Sequence, residues 1–244
     1  LEDIQLELRD LCVLIGANGS GKTSFLDIFN LLAGSAEGRL SSAISNFGGV
    51  SSILTGNQTK QMTIEVSMKV QRAQYPLKYS LTIESRGVAY EIAEESMTQQ
   101  RTQDPKNPFK HIESIREDIR YFEVGKGKLV QPTWEHKPLE TSLSQVPKMF
   151  REPEEFRDRL ASSTFYHALN VAPRSLVRLP QPLQPATLPG RDGENLISCL
   201  FYLRETNRDR FEAIEDALHA AFPDFVRLDF PPVSAGTLSM TWKD

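Results

Sequence analysis

The sequence predicts an α/β fold that begins with a strand, a glycine-rich loop and a helix, followed by an antiparallel β-meander and a helical segment. Three observations predict this fold. An apolar run at 11–15 precedes the glycine-rich loop, apolar residues recur at helical spacing over 25–32, and apolar and polar residues alternate over 62–92. Of the 244 residues, 39% are hydrophobic and 25% are charged, which is typical of a globular chain and excludes a disordered one.

The glycine-rich loop matches the G-x-x-x-x-G-K-[ST] pattern of phosphate-binding loops. It reads Gly-Ala-Asn-Gly-Ser-Gly-Lys-Thr over 16–23. Glycines permit backbone conformations that turn successive N–H groups toward a phosphate, and the helix that starts near Lys22 adds its positive N-terminal end. A glycine-rich turn that only caps a helix would explain the glycines but not a Lys-Thr pair at this offset.

The predicted ligands of this loop are ATP and Mg²⁺. Lys22 is predicted to reach the β- and γ-phosphates, the Thr23 hydroxyl to ligate Mg²⁺, and Ser24 to contact an α-phosphate oxygen. The complete predicted site comprises Gly16, Asn18, Gly19, Ser20, Gly21, Lys22, Thr23 and Ser24.

The sequence divides into two predicted segments. Residues 1–150 are expected to hold the strand–loop–helix unit and the antiparallel β-subdomain, and residues 151–244 a helical segment with closing strands. The elements expected after the first helix are strands over 62–70, 77–83 and 88–92, a hairpin over 119–130, helices near 194–205 and 208–221, and strands over 226–230 and 237–242. Proline-broken residues 98–117 and 131–154 are expected to form a loop and an exposed connection.

Composition limits the other function classes. A formal charge of −4 excludes a globally basic nucleic-acid sleeve, and no apolar stretch approaches the length of a membrane helix. Cys12 and Cys199 lie far apart among apolar residues, which favours buried free thiols in a reducing compartment and therefore a cytoplasmic protein.

The loop resembles that of the ABC-type ATPases of the SMC and RecF kind, whose form is Gly-x-Asn-Gly-Ser-Gly-Lys-Ser/Thr. Residues 4–8 and 11–15 resemble the paired strands that precede the loop in that family. Residues 47–54, 190–196 and 211–225 extend the resemblance to AAA-family, SMC-like bacterial ATPases, many of which are linked to phage defence. The resemblance implies a P-loop NTPase fold of the ABC head type, with this chain as the N-terminal lobe and the remainder of the head expected beyond residue 244.

Two hydrolytic elements of that family have no match in the sequence. The apolar strand that ends in Asp-Glu is missing, since its nearest equivalent at 226–230 is interrupted by Arg227 and has no Glu after Asp229. The second missing element is the ABC signature motif, which lies at the start of a helix in that family. Residues 233–237 match it only superficially, because the residues that follow alternate as in a strand. The family position of the Mg²⁺-contacting glutamine falls near 165–170, with His167 and Asn170 as polar candidates, and no catalytic residue is identified.

The resemblance implies an ATP-binding head lobe that dimerises around Mg-ATP to control a DNA transaction or a partnered effector nuclease. The expected partners are a second copy in a homodimer or higher homo-oligomer through the nucleotide site, with an effector nuclease or nucleic acid allowed. Two alternatives remain open: a nucleotide-dependent sensor or assembly scaffold that does not hydrolyse ATP, and a P-loop kinase for a small molecule. The kinase is disfavoured because a meander interrupts the βα repeats that such kinases contain.

Overall fold

The chain folds as two units, which comprise residues 1–163 and 164–244. The computed structural model describes residues 3–54, 59–71, 73–101, 107–163, 166, 169–190 and 192–244. The segment boundary predicted from the sequence lies after residue 150, whereas in the structure the helix that begins at Arg151 belongs to the first unit.

An antiparallel sheet of six strands in sequential order forms the centre of the first unit. Its strands are β1 (Gln61–Met68), β2 (Leu77–Arg86), β3 (Ala89–Gln99), β4 (Phe109–Ile115), β5 (Asp118–Glu123) and β6 (Lys128–Val130). The predicted meander and the predicted hairpin over 119–130 are confirmed. The loop predicted over 98–117 is wrong, because β4 pairs with β3 from Phe109 onward and strand propensity depends on such a neighbour.

One face of this sheet packs against helices and forms the larger hydrophobic core. The helices of the unit are α1 (Lys22–Ala36), α2 (Leu40–Asn46), α3 (Val50–Ile53) and α4 (Arg151–Ala161). In the core, the rings of Tyr79 on β2 and Phe156 on α4 lie 5.8 Å apart and neither side chain is exposed. Fully buried core residues from the sheet and helices include Leu32, Leu40, Leu77, Leu81, Ile83, Met97 and Ile112.

A buried carboxylate attaches a long connection to this sheet. The register of β3 shifts against β2 after Ile92, and Glu95 consequently faces the core with 1% exposure. Its carboxylate accepts hydrogen bonds from the Tyr79 hydroxyl at 2.9 Å and from the N–H groups of Ser142 at 2.6 Å and Leu143 at 2.8 Å. The exposed connection predicted over 131–154 is therefore wrong in its middle part, where the Leu143 side chain is fully buried.

The same connection contacts the C-terminal end of α1. The Thr141 hydroxyl donates to the Ser35 carbonyl at 2.8 Å, and the Glu140 carboxylate accepts the Leu40 N–H at 2.8 Å at the start of α2. Burial raises the pKa of the Glu95 carboxyl, and the N–H donors of Leu143 and Ser142 act in the opposite direction. This polar network therefore connects the sheet to the helix that begins at the glycine-rich loop.

His111 on β4 gives the first unit a pH-dependent stability. Burial, followed by the charge of Arg101, lowers its pKa to about 4. The unfolded chain therefore binds a proton at this residue near pH 6.5, whereas the folded chain does so only near pH 4. The contribution of His111 is complete above pH 6.5, and we expect up to about 3 kcal/mol of the unfolding free energy to be lost as the pH falls to 4.

Urea denaturation of the wild type and of His111→Gln between pH 4 and pH 7 measures this effect. The pH slope should be smaller in the variant, because glutamine does not titrate. Equal slopes in the two proteins would contradict the buried neutral state of His111.

The second unit is smaller and has its own core. Its described residues form α5 (Leu196–Thr206), α6 (Arg208–Ala221) and five short strands: β7 (Gln181–Pro182), β8 (Arg227–Asp229), β9 (Pro232–Ser234), β10 (Thr237–Leu238) and β11 (Thr241–Lys243). Strands β7, β10 and β9 form one sheet, and β11 pairs with β8 in another. The two predicted helices are confirmed, and the Asn207 side chain caps α6 by accepting the Arg210 N–H at 3.2 Å.

No helix in the described part of the chain has the length and apolar character needed to cross a membrane.

Candidate functional site

The candidate site is the loop over 16–21 that leads into α1. Gly19 and Gly21 have φ values of +81° and +85°, in the left-handed region that side chains disfavour. The Ser20 N–H donates to the Ala17 carbonyl at 3.2 Å, which closes a turn. A Cβ atom on Gly16 would lie 2.8 Å from the Ser20 hydroxyl oxygen, so a larger residue at this position would displace the Ser20 side chain.

The N-terminus of α1 presents uncapped donors to this loop. Gly21 is the N-cap residue and has no side chain that could accept a hydrogen bond. The Phe25 N–H donates to the Gly21 carbonyl at 2.9 Å, but the N–H groups of Lys22, Thr23 and Ser24 have no acceptor among the described residues. Such unpaired donors at the positive end of a helix favour binding of an anion, and phosphate is the anion that the sequence motif predicts.

The Lys22 ammonium group lies against the loop that precedes it. It donates to the carbonyl groups of Gly16 and Ala17, each at 2.7 Å, and lies 3.5 Å from the Ser20 hydroxyl oxygen. No carboxylate within the described ranges forms an ion pair with it. Its charge therefore has only neutral partners, which a phosphate group would replace with a stronger charge-assisted contact.

The other polar residues of the predicted site also lie on this loop or on the first turn of α1. Thr23, Ser24 and Asn18 are exposed, and the Thr23 hydroxyl has no hydrogen-bond partner in the part of the chain that the structure describes. A free hydroxyl one residue after the lysine is a fitting Mg²⁺ ligand beside a phosphate. The described residues contain no cluster of three His, Cys, Asp or Glu side chains that would hold a metal without a nucleotide.

A cavity lined mainly by apolar side chains lies beside the loop. The side chains of Ile4, Leu6, Leu14, Ile15 and Phe25 line a cavity of about 320 Å³ together with Gly16, Ser20, Gly21 and Lys22. Ile4 and Leu6 were predicted to belong to a strand and were not predicted to lie at the site. Their apolar alternation, which continues through Leu8, was the available signal.

The strand predicted over 11–15 is not formed, nor is the one over 4–8. An extended segment becomes a strand only when a neighbour accepts and donates its backbone hydrogen bonds, and no described segment pairs with either run. Cys12 is consequently exposed, which corrects the prediction that both cysteines are buried; Cys199 is buried, and both are free thiols.

The residues considered for hydrolysis lie in the second unit. Asp229 on β8 is ion-paired with Arg227 at 3.1 Å and Lys243 at 3.1 Å, as expected for a surface residue of a strand. The segment 233–237 belongs to the hairpin of β9 and β10 and does not open a helix. Asn170 accepts the Ala172 N–H at 3.0 Å, and the other polar candidate, His167, lies outside the described residues.

Comparison with known proteins identifies a family for nearly the whole chain. A family model described as "AAA domain, putative AbiEii toxin, Type IV TA system" matches residues 11–241. No curated protein and no solved structure gives a significant match to the chain. The matched range begins at the apolar run before the loop and includes every residue of the predicted nucleotide site.

Proposed function

The chain belongs to this AAA-domain family of P-loop ATPases, and from that premise we propose that it is the ATP-binding head lobe of an SMC-like, ABC-type ATPase. Family membership supports nucleotide binding with Mg²⁺. One observation supports the site most directly. The loop combines unpaired N–H donors at the start of α1 with a lysine ammonium group that has only neutral partners.

Different residues of the loop and of α1 are assigned to different parts of the bound nucleotide. The N–H groups of the loop and of the first turn of α1 would donate to the β-phosphate, and Lys22, which contacts the carbonyls of Gly16 and Ala17, would bind the β- and γ-phosphates instead. The Thr23 hydroxyl would hold Mg²⁺, and Ser24 would donate to the α-phosphate. The metal would supply positive charge beside the phosphate oxygens.

In this proposal, binding of Mg-ATP causes two or more copies of the chain to close around the nucleotide. Closure controls either a DNA transaction or a partnered effector nuclease, with a role in antiphage defence. The proposal requires binding to be coupled to assembly, because a lobe that binds ATP without differential affinity for the closed state cannot shift the equilibrium toward it.

A second candidate is a nucleotide-dependent scaffold or sensor that does not hydrolyse ATP. The ion pairs of Asp229 favour it, because a carboxylate engaged by Arg227 and Lys243 is poorly suited to hold Mg²⁺ or to activate water. Both candidates share the nucleotide site and differ in turnover.

Static light scattering with Mg-ATP, with Mg-ADP and without nucleotide tests the proposed closure. We expect the average mass to rise with Mg-ATP only, and Lys22→Ala to abolish the rise. Release of phosphate in the same samples that is lost with Lys22→Ala would exclude the second candidate. A mass that is the same in all three conditions would contradict nucleotide-driven assembly.

Replacing Thr23 with alanine should weaken ATP binding mainly when Mg²⁺ is present, because its hydroxyl is assigned to the metal and not to a phosphate. The measurement is titration of a fluorescent ATP analogue in Mg²⁺ and in EDTA. Ser24→Ala is the matched control, since it removes a hydroxyl assigned to the α-phosphate and should weaken binding in both conditions. Equal losses for Thr23→Ala in both buffers would exclude the metal role.

A further inference from the structure

Strand β1 is an open edge of the six-stranded sheet and has the backbone orientation needed to accept another strand. The Ser85 N–H donates to the Lys60 carbonyl at 2.8 Å, so this pair faces inward. Hydrogen-bonded pairs alternate along an antiparallel ladder, which directs the N–H and C=O groups of Gln61, Thr63, Glu65 and Ser67 away from β2. No described residue outside the ladder pairs with these groups.

The two edges of the sheet differ in how they are protected. The edge strand β6 has three residues, begins with Lys128 and is followed closely by Pro132, all of which discourage pairing. Strand β1 has eight residues, contains no proline and carries Glu65 as its one charged residue. Its register with β2 is continuous, without a bulge. Apart from the charge of Glu65, strand β1 therefore lacks the features by which proteins prevent edge pairing.

The sequence of β1 is complementary to itself in one antiparallel register. Since the outward-facing residues must pair with each other, only registers that match odd with odd residues are allowed. The register centred on Ile64 places Thr63 opposite Glu65 of a second copy and Gln61 opposite Ser67, so that all four outward-facing residues gain partners. The register centred on Glu65 would place two like charges directly opposite each other, which is unfavourable.

The same register joins the apolar sides of the two edges. Met62 and Val66 are only half-buried beside buried Ile64, and all three face the core side of the sheet. In the register centred on Ile64, Met62 lies opposite Val66 of the second copy, and Ile64 lies opposite its own equivalent. These are non-hydrogen-bonded pairs, in which side chains approach most closely. Pairing would therefore cover apolar surface that a single copy leaves partly exposed.

We propose that two copies of this chain associate through antiparallel pairing of their β1 strands about a two-fold axis at Ile64, forming one continuous sheet. This interface is separate from the nucleotide loop and does not require ATP. It supplies a permanent contact between copies, in addition to the closure proposed at the nucleotide site.

The register allows a test with two variants that differ only in the sign of one charge. Thr63→Glu places a carboxylate opposite Glu65 of the second copy, twice in each dimer, whereas Thr63→Lys places an ammonium group there. Thr63 is exposed, and both variants lose the same contact between the hydroxyl oxygens of Thr63 and Thr82, 2.9 Å apart. Far-ultraviolet circular dichroism and thermal melts confirm that both variants are folded.

The measurement is the dimer dissociation constant by analytical ultracentrifugation without nucleotide, in the full chain carrying Lys22→Ala. We expect a dimer for the parent, a dissociation constant raised about tenfold by Thr63→Glu, and one unchanged or lowered by Thr63→Lys. A monomeric parent, or equal effects of the two variants, would overturn the proposal. Since the background lacks Lys22, these outcomes do not depend on the proposed nucleotide function.

Discussion

Replacing Lys22 with alanine is expected to lower ATP affinity about 30- to 150-fold without unfolding the protein. The loss corresponds to a charge-assisted contact of about 2–3 kcal/mol. The ammonium group contacts only the carbonyls of Gly16 and Ala17 and one hydroxyl, and it has no role in the core. Titration of a fluorescent ATP analogue into the wild type and the variant measures the difference.

Lys126→Ala is the matched control for the loss of a positive charge. Lys126 lies in the turn between β5 and β6 and pairs with Glu123 at 2.8 Å. Its removal should leave the affinity unchanged, because exposed ion pairs contribute little. If Lys22→Ala binds the analogue as tightly as the wild type, the phosphate assignment of the loop is wrong.

Replacing Glu95 with alanine is expected to lower the free energy of unfolding of the first unit by about 3 kcal/mol or more. The substitution leaves the Tyr79 hydroxyl and the N–H groups of Ser142 and Leu143 buried without their acceptor. An unsatisfied buried donor costs about 1–3 kcal/mol, and three donors depend on this carboxylate. Urea denaturation followed by circular dichroism measures the change.

The neighbouring Glu94 provides a control on the same strand. Its side chain is exposed, so Glu94→Ala should change the free energy of unfolding by less than about 0.5 kcal/mol. Glu95→Gln retains one acceptor oxygen and should have an intermediate effect, which keeps the test informative if the alanine variant does not fold. Equal stability of Glu94→Ala and Glu95→Ala would contradict the role of the buried carboxylate.

Tertiary contacts decided that the Glu95 side chain faces the core and that part of the connection over 131–154 is buried. The alternation of Tyr90 and Ile92 predicts the first part of β3, but a register shift after Ile92 turns Glu95 toward the core. A glutamate in a strand ordinarily indicates a solvent-facing position, and proline-broken residues around 131–154 ordinarily indicate an exposed loop. The exposed connection predicted over 131–154 was wrong in its middle part, because the Glu95 carboxylate and the N–H groups of Ser142 and Leu143 satisfy each other across about fifty residues of sequence.

At the candidate site, the apolar run over 11–15 is a second case in which the local pattern did not predict the structure. Its composition predicts a strand, but a strand requires hydrogen bonds from a neighbour, and pairing is a property of the whole fold. The alternating strands β1 to β3 were predictable because each finds its neighbour through a short connection in the same meander.

The sequence by itself determined the glycine-rich loop, the start of α1 and the P-loop ATPase class of the chain. Adjacent residues decide these features, because glycine conformation, an uncapped helix N-terminus and the reach of Lys22 depend on contacts within six positions along the chain. Only the tertiary structure decided the burial of Glu95, the contacts of the connection at 140–143, the strand β4 and the open edge at β1. Each of these depends on which distant backbone or side-chain group supplies the missing hydrogen bond, and a local pattern of residue types does not contain that information.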